Sequence, residues 1–335
     1  VQPVFSAQDI LSRSAHNGLS ALREAAQVSW KLYKIMIPVL IGVKILVELG
    51  WISYLALPLR PLMGLVGLPP EMGLVWATAL VNNIYSGIIV YLTLAESIPL
   101  TVAQISVLSA MILVAHSLPV EVRIARESGC RFPFQAGVRL VGGFLLGWLL
   151  HLIYSAGGWL QGTSRVLWQG QPDPDPALSA WLLDQLTNLL LIFLIIFCLI
   201  LLMRLLQWLK IIDAVVRLLG PLLRVIGIGR EAATLTMVGM TMGLTYGGGL
   251  IIHEAKSGRV QPRDVFAAVT LMGLAHSLIE DTLLMVMLGA HLSGILWGRV
   301  IFALVATALL MRLLPRLSSK TIQRHLFLQQ SSETP

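Results

Sequence analysis

Apolar residues run along this chain in long blocks, broken by short polar stretches rather than alternating with them. Four blocks are long enough to span a bilayer, at about 35–57, 139–159, 185–209 and 299–314. Four more, at about 71–93, 103–121, 231–252 and 265–289, are similarly long but more polar. The interruptions decide how these are read. Segment 71–93 is broken by Asn82-Asn83-Ile-Tyr-Ser-Gly87, and segment 231–252 by Thr241-Met-Gly-Leu-Thr-Tyr-Gly-Gly-Gly249. Backbone that leaves the helix at membrane depth survives only where protein or a water-filled cavity satisfies its polar groups, so both segments are expected as re-entrant hairpins or unwound helices. The fold class predicted is an all-α polytopic membrane protein with six crossings and two hairpins.

Composition agrees with that pattern: 56% of residues are hydrophobic and 12% charged, against roughly 25% charged in an ordinary soluble domain. The net charge of +7 does not point to nucleic acid, because the basic residues are spread through short loops between apolar runs. They orient the chain instead. Lys31 and Lys34, the cluster Arg123 to Arg139, Lys210 to Arg230, Lys256 to Arg263 and Arg312 to Arg324 all fall on one side if both hairpins return to the side they entered from. By the positive-inside rule that side is cytoplasmic, which places both termini there and the protein in a bacterial-type inner membrane. Ahead of the first span, Leu11, Ala15, Leu19, Leu22 and Ala26 recur at helical spacing, so residues 1–29 are expected as an amphipathic helix that lies at the interface or packs on a partner. Two cysteines, Cys130 and Cys198, indicate neither a disulfide framework nor a cysteine metal site.

The chain also repeats itself. Ala115-His-Ser-Leu118 matches Ala275-His-Ser-Leu278, a displacement of 160 positions, at which Lys44 meets Arg204, Pro61-Leu62 meets Pro221-Leu222, Gly67 meets Gly227, Glu71 meets Glu231 and Arg139 meets Arg299. A one-residue shift aligns Tyr85-Ser-Gly87 with Tyr246-Gly-Gly248. The expected organisation is repeat 1 over 30–159, an external linker at 160–184, repeat 2 over 185–316 and a cytoplasmic tail at 317–335. Three crossings per repeat force the second copy into the membrane upside down, an architecture of many secondary transporters.

Polar side chains inside these segments are the candidate chemistry. An ionisable group near the bilayer centre costs roughly 2.5 kcal/mol or more unless it is partnered or wet. His276 and Glu280, four residues apart, are expected on one helix face as a proton-titrating pair with Asp281 beside them; the structural alternative is a neutral histidine bonding across helices. His116 and Ser117 in repeat 1 match His276 and Ser277, and Pro119 should break the helix locally. In the hairpin breaks, Asn82, Asn83, Ser86, Thr241, Thr245 and Tyr246 offer donors and acceptors to a polar solute. Arg139 and Arg299 read as interfacial anchors, and Met240, Met242, Met285 and Met287 as apolar filling.

From Pro61-Leu-Met-Gly-Leu-Val-Gly-Leu-Pro-Pro-Glu-Met-Gly73 through Asn82-Asn83 to the Ala-His-Ser segment, the chain resembles the nucleoside-recognition or Gate domain family. That domain is shared by concentrative nucleoside transporters, the membrane part of ferrous-iron transporter B proteins and spore-maturation membrane proteins. The resemblance implies a secondary transporter of a small polar solute, nucleosides included. The residues add proton coupling and suggest no enzyme chemistry, cofactor or resident metal. The chain lacks the Gly-x4-Gly-Lys-Ser/Thr loop of the iron transporters, and neither cysteine lies in a hairpin break. Two alternatives stay open: a divalent-metal permease using His116, His276 and the carboxylates, and a membrane assembly factor that carries the fold without transport. A hydrolase built on Ser277, His276 and Asp281 is disfavoured, since adjacent residues on a helix point about 100° apart and no nucleophile elbow is present. The expected partners are a small-molecule substrate and the lipid bilayer; a homo-oligomer is compatible with this reading.

Overall fold

Apolar blocks interrupted by Gly, Pro and Asn fold as helices that stop near those residues. The computed structural model describes residues 7–95, 97–167 and 178–327. In chain order the helices are α1 (Ala7–Glu48), α2 (Ile52–Ala56), α3 (Arg60–Leu65), α4 (Met72–Val81), α5 (Ile84–Ala95), α6 (Val102–Val114), α7 (Leu118–Glu127) and α8 (Phe132–Gly157). They continue as α9 (Leu178–Trp208), α10 (Ile211–Ile226), α11 (Arg230–Met242), α12 (Leu244–Lys256), α13 (Pro262–Leu274), α14 (Glu280–Met287), α15 (Arg299–Leu313) and α16 (Ser319–His325). A π-helical turn, Ser293–Gly298, leads into α15. Among the described residues extended pairing is limited to two isolated bridges, Thr101 with Thr163 and Cys130 with Phe327. The fold is all-α, as the apolar pattern predicts.

Among the described residues four stretches are long and apolar enough to cross a membrane: Val102–Glu127, Phe132–Gly157, Trp181–Trp208 and Ser293–Arg316. The expected span at 35–57 is not one helix. α1 runs unbroken through the anticipated boundary at 29/30 and ends at Glu48; Gly50 then turns the chain at φ +68, and only the short α2 follows. Positive φ is open to glycine at little cost, which makes Gly50 the natural stop.

The structure divides into two compact units, Val1–Val39 with Gly170–Asp213, and Leu40–Gln169 with Ala214–Pro335. In the first, α1 and α9 are tied by Tyr33, whose hydroxyl donates to the Leu189 carbonyl at 2.5 Å, and by Arg204, which pairs with Glu24 at 2.6 Å. This division cuts through both sequence repeats, and the linker expected at 160–184 already re-enters helix at Leu178.

The second unit is built around α6 and α13, which occupy equivalent places in the two repeats. Both are apolar all round, and Ile105 to Val114 and Val265 to Leu274 are buried without a gap. A helix apolar on every side belongs in a core. A capping box of Thr101 and Gln104 starts α6, and Pro262 opens α13, where a missing N–H leaves no bond unmade. Against α6 lies α8, brought close by Gly143 and Gly147: a β-carbon at Gly147 would sit 2.6 Å from Met111.

Both expected hairpins are present, with narrower breaks than the sequence suggested. α4 and α5 separate at Asn82-Asn83, and α11 and α12 at Gly243, whose φ is +94. Their arms touch at matching places: a β-carbon on Gly87 would meet that of Ala79 at 2.8 Å, and one on Gly247 would meet the Gly239 Cα at 2.3 Å. Gly87 and Gly247 are 160 apart, as are Ala79 and Gly239, so the repeats align here without the one-residue shift anticipated from Tyr85 and Tyr246.

Three basic segments gather at one end. Arg131 donates through Nε and Nη2 to the Gln323 carbonyl at 2.9 and 2.6 Å, while Phe266 stacks between Phe134 and Phe327. The segment from α16 to Phe327 is therefore docked rather than a free tail, and Cys130 lies beneath it. Burial pushes the Cys130 thiol up to about 12.

Candidate functional site

The two central helices break in the same way. α6 ends at Val114, Ala115 turns at φ −136 and ψ 85, and Ser117 adopts left-handed φ 48 before α7 begins at Leu118 with Pro119 in its first turn. α13 ends at Leu274, Ala275 turns at φ −146 and ψ 77, and Ser277 adopts φ 46 before α14 begins at Glu280. A non-glycine residue in that region is strained by about 1 kcal/mol or more and persists only where its surroundings hold it. Here the hairpins do so: the Ser117 amide donates to the Ala79 carbonyl at 2.9 Å, and the Leu278 amide to the Met240 carbonyl at 2.8 Å. Pro119 sits at the break as its residue type predicts.

Each break delivers its histidine to one shared point. Nδ1 of His116 lies 2.9 Å from the Ile112 carbonyl and Nδ1 of His276 lies 2.9 Å from the Met272 carbonyl, so both rings donate from that nitrogen. A carbonyl can only accept, which fixes the proton on Nδ1 and turns Nε2 toward the centre as an acceptor whenever the ring is neutral. The two Nε2 atoms stand 3.4 Å apart, with Oε1 of Glu121 at 3.2 Å from His116 and 3.5 Å from His276. All three side chains are buried. Three acceptors thus face one another out of bulk water.

Two arginines frame this triad. Nε of Arg139 donates to the Val114 carbonyl and Nε of Arg299 to the Leu274 carbonyl, both at 3.0 Å, so each guanidinium occupies a carbonyl freed by a broken helix. Arg139 is 2% exposed and Arg299 is fully buried. They are not the interfacial anchors their place at the edge of an apolar run suggested, because α8 begins upstream at Phe132 and the π-helical turn at Ser293. Arg139 forms a close ion pair with Oε2 of Glu121, charge to charge rather than through aligned hydrogen bonds. Repeat 2 carries Asp281 at the matching place, one methylene shorter. It lies in electrostatic reach of Arg299 without an ion-pair contact, and Asp281 Oδ2 and both terminal nitrogens of Arg299 have no hydrogen-bond partner among the described residues.

The expected His276 and Glu280 pair is therefore not formed. The helix does not continue from 276 to 280, so the four-residue spacing places the two side chains on no common face, and the carboxylate beside His276 is Glu121. Glu280 instead joins Asp281 in electrostatic reach of Tyr85. The same break removes the helical-angle argument about His276 and Ser277; Ser277 faces Gly243 at the second hairpin's tip, where a β-carbon would lie 2.9 Å from its Oγ. In the first hairpin, Asn83 Oδ1 accepts from the amide and the hydroxyl of Ser86 at 2.9 and 3.2 Å, which caps α5. Asn82 stands half-buried at the end of α4, Ser117 is half-buried, and the Thr241 hydroxyl donates to the Met237 carbonyl at 2.9 Å. The side chains of Thr245 and Tyr246 lie outside the described residues. Glu121 was missed by sequence reasoning, although subtracting the repeat displacement from Asp281 would have found it.

No family model matches the chain, and no solved structure matches it. The chain is similar to the uncharacterized membrane protein YvoD of Bacillus subtilis (strain 168), 27% identical over 299 residues that cover 86% of this chain and 92% of the relative. With the four apolar spans, this likeness identifies a membrane-embedded, multi-pass protein.

Proposed function

We propose that the protein is a cation-coupled secondary transporter of a small polar solute, set in a bacterial inner membrane with both termini cytoplasmic and its two repeats inverted. One observation carries the reading: equivalent histidines from the two repeats meet, Nε2 to Nε2, at 3.4 Å. A pseudo-twofold axis relating the two repeats would pass between these equivalent atoms, which supports a shared centre at this contact. In inverted-repeat transporters the substrate and coupling-ion sites lie at the repeat interface near the midplane, formed by discontinuous helices. α6/α7 and α13/α14 are discontinuous at the triad itself.

An acceptor-only centre is unfavourable until a cation enters it, which supports loading by protons or a metal ion as the coupling step. The coupling group is His116, Glu121 and His276 rather than His276 with Glu280 and Asp281, because the carboxylate beside His276 is Glu121. Asp281 Oδ2 and the two terminal nitrogens of Arg299, buried without a hydrogen-bond partner among the described residues, are the atoms left to hold a solute that carries both donors and acceptors. The resemblance to nucleoside-recognition domains makes nucleosides the first candidates.

Purified protein should be screened by thermal unfolding against nucleosides, amino acids, phosphorylated lipids and divalent cations, then by uptake into proteoliposomes. A solute present at a hundred times its Kd should stabilise the fold by roughly 2.7 kcal/mol. Accumulation of that solute in vesicles is the expected result. Stabilisation without uptake would leave a binding protein and end the transport reading.

A further inference from the structure

We infer that His116, Glu121 and His276 form a binding site for a four-coordinate divalent cation of the Zn2+ class. This rests on the reading of the triad as the cation-loading centre, and it names the cation. The three donor atoms, His116 Nε2, His276 Nε2 and Glu121 Oε1, are separated by 3.4, 3.2 and 3.5 Å. Donors bound about 2.0–2.1 Å from a tetrahedral ion lie about 3.3–3.4 Å from one another. Octahedral coordination at the same bond length would draw neighbours to about 2.9 Å. The observed triangle matches the first arrangement to within about 0.1 Å.

The surroundings match what such an ion requires. Each ring gives its other nitrogen to a backbone carbonyl, the arrangement that fixes a ligating histidine's tautomer and orientation. Glu121 divides its oxygens: Oε2 faces Arg139, which holds the carboxylate in place, and Oε1 faces the histidines. Beyond Glu121, the charged and titratable groups near this centre are Glu280 and Asp281 and the guanidiniums of Arg139 and Arg299. Two imidazole nitrogens and a single carboxylate oxygen select against Ca2+ and Mg2+, which take sets dominated by oxygen. Three protein ligands leave a fourth position for water or a solute donor, the condition for an ion that exchanges rather than one locked in place.

Co2+ is the probe, because it reports four-coordinate geometry in its visible absorption. Protein in detergent should bind one Co2+ per chain with the intense bands of a tetrahedral site, and Zn2+ should displace it while Mg2+ and Ca2+ do not. His276→Ala should weaken binding by more than the about 10–100-fold that loss of a supporting hydrogen bond costs. His276→Cys should retain the ion and add a thiolate charge-transfer band, a change that a purely structural histidine would not produce and that guards against a misfolded alanine variant. Absence of saturable binding, or equal binding by wild type and the His116→Ala/His276→Ala double variant, overturns the site. Uptake of a solute that neither Zn2+ nor its chelation affects would overturn the metal assignment and leave the transporter standing. Metal binding without any uptake would do the reverse.

Discussion

Replacing Glu121 by glutamine is expected to destabilise the protein by about 3–5 kcal/mol, the usual consequence of leaving one charge of a buried pair uncompensated. The orphaned charge is Arg139, whose close ionic partner is Glu121 and whose Nε is already committed to the Val114 carbonyl. Glu121→Gln combined with Arg139→Met should recover a large part of that loss, because no buried charge then stands alone. The equivalent change in repeat 2, Asp281→Asn, should cost less, since Asp281 makes no ion-pair contact with Arg299 for the substitution to break. Thermal unfolding of the wild type and these three variants in one detergent tests this. Equal losses for Glu121→Gln and Asp281→Asn, or a double variant worse than Glu121→Gln alone, would mean that the ion pair does not hold the break in α6.

The second large effect concerns the hairpins. Gly247→Ala would place a β-carbon 2.3 Å from the Gly239 Cα and 2.7 Å from its nitrogen, and backbone cannot step aside as a side chain can. Overpacking of this kind costs typically about 1–3 kcal/mol and here belongs at or above the upper end, with the arms of α11 and α12 forced apart. Two residues away, a β-carbon at Gly249 meets nothing within 4 Å, so Gly249→Ala should gain about 0.5–1 kcal/mol from the lower chain entropy of alanine in a helix. Opposite signs at neighbouring glycines are the expected outcome of paired unfolding measurements. Equal effects would show that the close approach of the arms contributes nothing.

What could be read from the sequence followed from how costly polar groups are in apolar surroundings. Asn82-Asn83 and the glycines near 243 mark hairpin breaks, and the duplicated Ala-His-Ser marks two broken helices, because neither belongs in a continuous apolar helix without a reason. The errors came from assuming continuity. Four-residue spacing puts His276 and Glu280 on one face only if helix persists between them, but Ala275 and Ser277 take non-helical backbone to meet the hairpin tip. The apolar run that starts at Arg139 implies an interfacial place for it, yet α8 begins at Phe132 and carries the arginine inward. Glu121 was hidden by its neighbours Arg123, Arg126 and Glu127, which make α7 look solvated. α7 is amphipathic, and Glu121 lies on its buried face with Val122 and Ala125. No local pattern distinguishes a carboxylate that meets a buried arginine from one that meets water; the partner, Arg139, is 18 positions away.

Access to the centre tests the account most directly. Ser277 lies next to His276 and against the tip of the second hairpin, so a Ser277→Cys variant reports whether water reaches the triad and from which side. Cys198 should be removed from the background, while Cys130 can stay because it is buried and its thiol is pushed up to about 12. Gly162→Cys and Lys320→Cys, in exposed positions assigned to opposite ends of the protein, provide references that should each react from one side of the membrane only. With a membrane-impermeant thiol reagent added to right-side-out or inverted vesicles, the account predicts that Ser277→Cys reacts from both sides and that Zn2+ slows both reactions. Reaction from one side only, or rates that Zn2+ leaves unchanged, would contradict an alternately opened, cation-loaded centre.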